Sequence, residues 1–170
     1  MPAKLPVLPT SIALLAICAL LLTESSAQKR GANQIPPPEI LGVRLAMPYT
    51  AAHAQLVKLG QLQKEEEGQQ VWRLLGNEHY AHLIVGFDGE NRVRYVTALA
   101  EANATPVKYE DVGDLTKATR TGQPGNLTFT WKSRDRKGNF EYLAIAKGKD
   151  ANKLSSFSVK RLGVRAAEQD

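Results

Sequence analysis

The side chains best suited to metal or acid–base chemistry are three histidines. His79 and His82 lie three residues apart in a segment with strand-like alternation, and His53 lies in a helical segment. A spacing of three puts two side chains on opposite faces of a strand. No cysteine or acidic cluster at metal-ligand spacing surrounds them. The pattern favours surface or interface histidines and predicts neither a metal site nor a cofactor.

Other residues that could support catalysis lack the patterns that catalysis needs. The three carboxylates of Glu65–Glu67 directly precede Gly68 and are typical of a solvated turn. No serine stands in a Gly-x-Ser-x-Gly elbow, and the glycines match neither a P-loop nor a dinucleotide fingerprint. The sequence therefore predicts a protein that is not an enzyme, and a hydrolase is the least favoured function. The absence of a nucleic-acid motif and the predicted export both argue against a nucleic-acid partner.

The first 27 residues have the pattern of a secretory signal peptide. An apolar run of 11 residues, Ile12–Leu22, is followed by small residues at Ser25 and Ala27, which predicts cleavage after Ala27. The alternative, an uncleaved membrane anchor, needs about 20 apolar residues. The only cysteine, Cys18, lies in this run, so the mature chain has no disulfide. We expect a secreted or periplasmic protein without a transmembrane span.

The charge of the chain is concentrated in its second half. Residues 28–104 hold eight basic and eight acidic side chains, whereas residues 105–170 hold thirteen basic and eight acidic ones. An ordinary solvated surface is one interpretation. The other is a basic face directed toward an acidic protein, membrane headgroups or an envelope polymer.

The segment 28–38 ends in three prolines and predicts an extended linker. A first unit follows over 39–104. It begins with a helix over 51–59, indicated by apolar residues at helical spacing. A polar strand, a second strand and a hairpin over 81–100 come next. The pair Asp88-Gly89 predicts a primed turn in that hairpin, because glycine readily supplies the positive φ.

The segment 105–163 repeats this order, and residues 164–170 are predicted to be a frayed tail. Its elements are a helix over 110–120, a strand over 126–134 and two further strands. The halves align at a spacing of about 60 residues through the pairs Tyr49/Tyr109, Trp72/Trp131, Leu83/Leu143 and Val85/Ile145. The expected fold is α+β, with two tandem αβββ units in one antiparallel sheet and short helices packed on one face.

Three segments of the first unit, "GVRLAMPYTAAHAQLVKLG", "VWRL" and "HLIVGFDGENRVRYVT", resemble the SmpA/OmlA small outer-membrane protein domain. As tandem units they resemble the β-lactamase inhibitor protein fold, in which one sheet face is a concave binding surface. The resemblance implies protein–protein binding in the bacterial envelope. This chain differs in having no lipid-attachment cysteine and no disulfide in the mature part.

Aromatic side chains on the strands are the remaining candidates for binding, because tryptophan, tyrosine and arginine commonly anchor interfaces. Alternation cannot say which of them face the core. The residues proposed to bind a partner are Trp72, Tyr95, Trp131, Lys132 and Arg134. The expected function is an exported, non-enzymatic protein-binding module of the bacterial envelope. The alternative is a basic structural adaptor that binds anionic envelope lipid or polymer.

Overall fold

A computed structural model describes residues 34–101, 103–150 and 152–163. The predicted signal peptide, the first part of the predicted linker (28–33) and the predicted tail lie outside the described residues. The elements, in chain order, are β1 (Glu39–Ile40), β2 (Val43–Arg44), α1 (Tyr49–Leu59), β3 (Gly60–Glu66), β4 (Gln69–Leu74), β5 (Tyr80–Phe87), β6 (Val93–Ala100), α2 (Tyr109–Val112), a 3-10 helix (Leu115–Lys117), β7 (Thr119–Gln123), β8 (Asn126–Arg134), β9 (Glu141–Gly148) and β10 (Ser156–Arg161).

Eight of the described strands form one antiparallel sheet in the order β3-β4-β5-β6-β10-β9-β8-β7, and β1 pairs with β2 in a separate ribbon. The first half of the chain supplies one side of the sheet and the second half the other. Their last strands, β6 and β10, pair where the halves meet. The predicted α+β class with an antiparallel sheet is confirmed, although strand predominates. Each half contributes four strands, where three were expected.

One face of the sheet is covered and holds the core. A continuous row of directly opposed residues crosses six strands, and opposed residues point to the same face. The members of this row are Trp72, Leu83, Ala98, Phe157, Ala146 and Phe129. Helix α1 packs here through the His53 ring, 5.3 Å from that of Trp72, and α2 through Tyr109, 4.7 Å from Phe129. Both helices therefore lie on the same face.

The register corrects two of the residue pairs predicted to be equivalent. Trp72 and Trp131 both lie on the covered face, 3% and 0% exposed. Leu83, opposite Trp72, and Val85 lie there too. In β9 the corresponding positions are occupied by alanines, since Ala144 lies opposite Trp131 and Ala146 opposite Phe129. The pairs that match in register are Leu83 with Ala144 and Val85 with Ala146. Leu143 and Ile145 consequently point to the other face, because an offset of one residue reverses every side chain of a strand.

The helix predicted over 110–120 is wrong beyond Val112. Gly113 is extended, and the Asp114 carboxylate caps a short 3-10 helix by accepting from the Thr116 backbone N–H at 3.0 Å. Hydrogen bonds from Thr116 hold the pKa of Asp114 below its usual range. The chain then becomes strand from Thr119, where β-branched residues pair with β8. This strand, β7, is a polar strand at the edge of the sheet, and its sequence has no apolar periodicity from which a strand could have been predicted. The first helix is confirmed, starting at Tyr49.

The proline-rich segment expected to be a free linker is part of the fold over residues 34–38. Pro36 is buried, and its carbonyl accepts from the Tyr142 hydroxyl at 2.7 Å. The Gln34 carbonyl accepts from the Asp114 backbone N–H at 3.0 Å. An extended proline segment makes no internal backbone hydrogen bonds, so its carbonyls are free to accept them. The segment before the first half thus packs on the second half.

Tyr142→Phe tests this attachment. Removal of the hydroxyl leaves the buried carbonyl of Pro36 without its donor, which should lower the free energy of unfolding by about 1–3 kcal/mol. Urea denaturation followed by tryptophan fluorescence measures the change. A variant as stable as the parent would show that residues 34–38 add nothing through this bond.

The β5–β6 hairpin turns differently from the prediction. The left-handed residue is Asn91, with φ 55°, and Gly89 does not have a positive φ. The Asn91 N–H donates to the Asp88 carbonyl at 2.9 Å, and the Asp88 N–H to the Arg92 carbonyl at 2.9 Å. This is a three-residue loop with a type I turn and a left-handed third residue. The Asp88 side chain also accepts from the backbone N–H groups of Glu90 and Arg92.

Asp88 has a second role, because its other carboxylate oxygen binds Arg161 in β10 at 3.0 Å in a mostly buried pair. Asp88→Ala should therefore cost about 3 kcal/mol or more in the free energy of unfolding, since it leaves a buried cation unpaired. Gly89→Ala should change stability by no more than about 0.5 kcal/mol, because an added Cβ meets nothing within 4 Å.

Urea denaturation of both variants separates the roles of these two residues. Asp88→Asn is the matched control, since it keeps a turn acceptor while removing the charge opposite Arg161. Equal destabilisation by Gly89→Ala and Asp88→Ala would contradict the assignment.

Candidate functional site

The face of the sheet opposite the helices, here called the open face, is the candidate functional surface. The central row contains Thr119, Thr130, Ile145, Ser158, Thr97, Ile84 and Val71. The Tyr95 row contains Lys132, Leu143, Lys160, Tyr95, Gly86, Gln69 and Glu66. The Leu99 row contains Thr128, Lys147, Ser156, Leu99, His82, Arg73 and Gln61. Apart from Gly86, all these residues are half-buried or exposed.

Aliphatic side chains occupy the middle of this face. Five are half-buried: Val71, Ile84, Leu99, Leu143 and Ile145. Hydroxyl groups stand between them, and where the two halves meet the Thr97 and Ser158 hydroxyls are 2.9 Å apart. Apolar groups among hydrogen-bonding groups, with charges around them, are the composition of a non-obligate protein interface.

Tyr95 is held flat across the first half of the open face. Its ring lies over Gly86, where a Cβ would overlap the ring atoms, and its hydroxyl donates to the Gln69 side-chain oxygen. Burial raises the pKa of Tyr95, with the nearby Glu66 carboxylate also raising it. The phenol is therefore neutral at physiological pH and remains a hydrogen-bond donor. Its orientation is set before any partner arrives.

The second half of the open face is positively charged. Lys132 and Arg134 both bind the Glu141 carboxylate, at 3.1 and 3.2 Å. These two hydrogen-bonding cations hold the pKa of Glu141 below its usual range. Lys147 and Lys160 are exposed, and neither forms a salt bridge within the described residues. Among the described residues this region therefore holds four cations, and the Glu141 carboxylate binds only two of them.

The predicted partner-binding residues separate into two groups. Tyr95, Lys132 and Arg134 lie on the open face, Tyr95 in its first half and the two cations in its second, whereas Trp72 and Trp131 are in the core and cannot contact a partner. Alternation confines each tryptophan to one face of its strand, and the sheet register makes this the face that the helices cover. Among the phenylalanine, tyrosine and tryptophan residues of the described strands, Tyr95 alone lies on the open face. The predicted residues do not include Leu143, Ile145, Lys147 or Lys160. Period-two alternation puts Leu143, Ile145 and Lys147 on one face of β9, and only the pairing of β10 with β9 brings Lys160 beside them.

The residues first considered for chemistry are dispersed. His79 Nδ1 lies 3.2 Å from the Thr105 carbonyl, and His82 is on the open face. His53 stacks on Tyr49 at 5.7 Å. Glu65 is exposed, yet it accepts from the Gln70 amide at 2.8 Å. Among the described residues no group of three or more His, Cys, Asp or Glu side chains could hold a metal ion.

A scan against protein-family models finds no match, and searches of curated proteins and of solved structures find none either. The resemblance drawn from the residue pattern therefore stays a prediction. In the part of the chain that the structure describes, no helix is long and apolar enough to cross a membrane.

Gly86→Ala tests how Tyr95 is positioned. The new methyl group overlaps the Tyr95 ring, so the ring must leave Gln69, and the variant should lose about 1–3 kcal/mol of stability. Tyr95→Ala in the same background should recover part of this loss, giving a coupling energy of about 1 kcal/mol. Chemical denaturation of the four proteins completes the cycle. Additive losses would show that Gly86 and Tyr95 act separately.

Proposed function

We propose that this protein is an exported, non-enzymatic protein-binding module of the bacterial envelope, and that the open face is its docking surface. The observation that carries the proposal is the group of five half-buried aliphatic residues on a sheet face that no element of the described residues covers. Each square ångström of apolar surface removed from water contributes about 25 cal/mol. A partner that covers these residues gains this energy.

The dimensions of the open face suit a protein partner. Eight strands spaced about 4.8 Å apart span about 34 Å, and alternate residues along a strand are about 7 Å apart. Three rows on such a sheet provide a surface of the order of 500–800 Å², which approaches the roughly 800 Å² that one partner buries in a standard interface. Tyr95 is already oriented, which lowers the entropy lost on binding.

The tandem-unit fold is part of the same proposal. The strand order is symmetric about the β6–β10 pair, and Trp72 and Trp131 occupy matching positions. Thr97 and Ser158, 61 residues apart, face each other where a two-fold axis between the halves would pass. These relations support two duplicated units, each a helix followed by four strands. They also support the resemblance to the β-lactamase inhibitor protein fold, whose sheet binds a protein.

Site-specific photo-cross-linking in the native envelope tests the docking surface. A photoreactive residue replaces Ile84 or Ile145 on the open face, and Val57 serves as the matched control. Val57 is an exposed aliphatic residue on α1, 58% exposed. We expect the same envelope protein to be cross-linked from both open-face positions and not from Val57. Equal capture from Val57, or no capture from either isoleucine, would refute the proposal.

A basic structural adaptor is the second candidate, supported by Lys147 and Lys160, which are exposed without a salt bridge in the described part of the chain. Such an adaptor would sediment with vesicles rich in phosphatidylglycerol, and its binding would weaken steeply as salt is raised. A docking module would bind its protein partner and would itself remain in the supernatant when neutral or anionic vesicles are sedimented.

A further inference from the structure

We infer that the second half of the open face selects an acidic segment of a protein partner. This inference rests on the proposed docking function and names the chemistry of its partner. The surface concerned, here called the basic patch, consists of Lys132, Lys147 and Lys160 around Leu143 and Ile145.

The sheet register places two aliphatic residues, Leu143 and Ile145, among the strand positions of three lysines. Leu143 lies directly between Lys132 and Lys160 on the neighbouring strands. Ile145 is the next residue on the same face of β9, and Lys147 follows it. Two strand spacings separate Lys132 from Lys160, about 10 Å between their backbones. An apolar side chain can therefore pack on these two residues while flanking carboxylates reach the lysines.

The charge of the patch is only partly compensated within the described residues. Glu141 neutralises only part of it, and this carboxylate is already bound by Lys132 and Arg134. Its lowered pKa keeps it ionised at neutral pH, so it stays a fixed anchor for those two side chains. Within the part of the chain that the structure describes, Lys147 and Lys160 make no salt bridge, and they are available to external carboxylates. Potential of one sign on a surface speeds and orients the approach of an oppositely charged partner.

A protein segment fits the patch better than a lipid surface does. Binding in the membrane interface requires large apolar side chains that insert among the acyl chains. The exposed large apolar residues among those described are Ile35, Val57, Leu62 and Leu75, and none belongs to the patch. Leu143 and Ile145 are half-buried instead, and Thr130 and Ser158 flank Ile145 in the central row. Their hydroxyls can bond to the backbone of a peptide.

A synthetic peptide of three Glu-Leu-Glu-Ser repeats is the probe, and the same peptide with glutamine in place of glutamate is its control. Amide chemical shifts of the full mature protein should move on β8, β9 and β10 with the acidic peptide, and the affinity should fall as salt is raised. Lys147→Glu and Lys160→Glu should each weaken binding by about two- to fivefold. Lys58→Glu on α1 makes the same charge change away from the patch and should have little effect.

Glu141→Gln distinguishes a binding role of the lysines from a structural one. It releases Lys132 and Arg134 from the Glu141 carboxylate, so it should tighten binding of the acidic peptide. Equal binding of the glutamine peptide, or shifts confined to β3–β5, would overturn the inference. Binding to phosphatidylglycerol vesicles in place of the peptide would overturn it in favour of a lipid surface. If the acidic peptide fails while cross-linking through Ile145 succeeds, the docking function stands and the acidic selectivity is wrong.

Discussion

The pairing of β6 with β10 is the constraint on which the rest of the structure depends. Val96 lies opposite Val159 and Ala98 opposite Phe157, so the covered faces of the two halves become one surface. Any shift of one residue between these strands would turn the apolar face of one half toward water. The buried Asp88–Arg161 ion pair connects the β5–β6 turn to β10 and opposes such a shift. A mispaired register would leave both charges without a partner, so the pair contributes specificity.

The two tryptophans show how the halves solve one problem in different ways. A buried indole N–H needs an acceptor. In the first half Trp72 donates to the side chain of Gln70, which in turn donates to the Tyr49 hydroxyl. In the second half Trp131 donates to the Asp114 carbonyl at 2.7 Å. The first core therefore contains a polar side-chain network, whereas the second uses backbone held by the Asp114 cap.

The two halves of the open face also differ in composition. Its first half combines Tyr95 with aliphatic residues, and its second half combines aliphatic residues with lysines. Since both halves share one continuous surface, a partner could meet an ordered aromatic donor at one end and cations at the other. Segment 34–38 lies against Asp114 and Tyr142 on the covered side, so it leaves the open face accessible.

The sequence by itself determined the local elements whose signal is carried by neighbouring residues. Alternation predicted β4, β5, β6 and β8, and helical spacing predicted α1. The lack of any cysteine after Cys18 meant that burial, and not disulfides, had to stabilise the strands and helices that follow. The tertiary structure alone decided which face of each strand is covered. A strand has two faces, and its own residues cannot say which one meets a helix; the neighbouring strands decide that through their register. The tertiary structure also decided β7, a polar edge strand defined by its pairing with β8. It likewise decided the position of the proline segment, because the Tyr142 hydroxyl that donates to the Pro36 carbonyl lies 106 residues away in the chain.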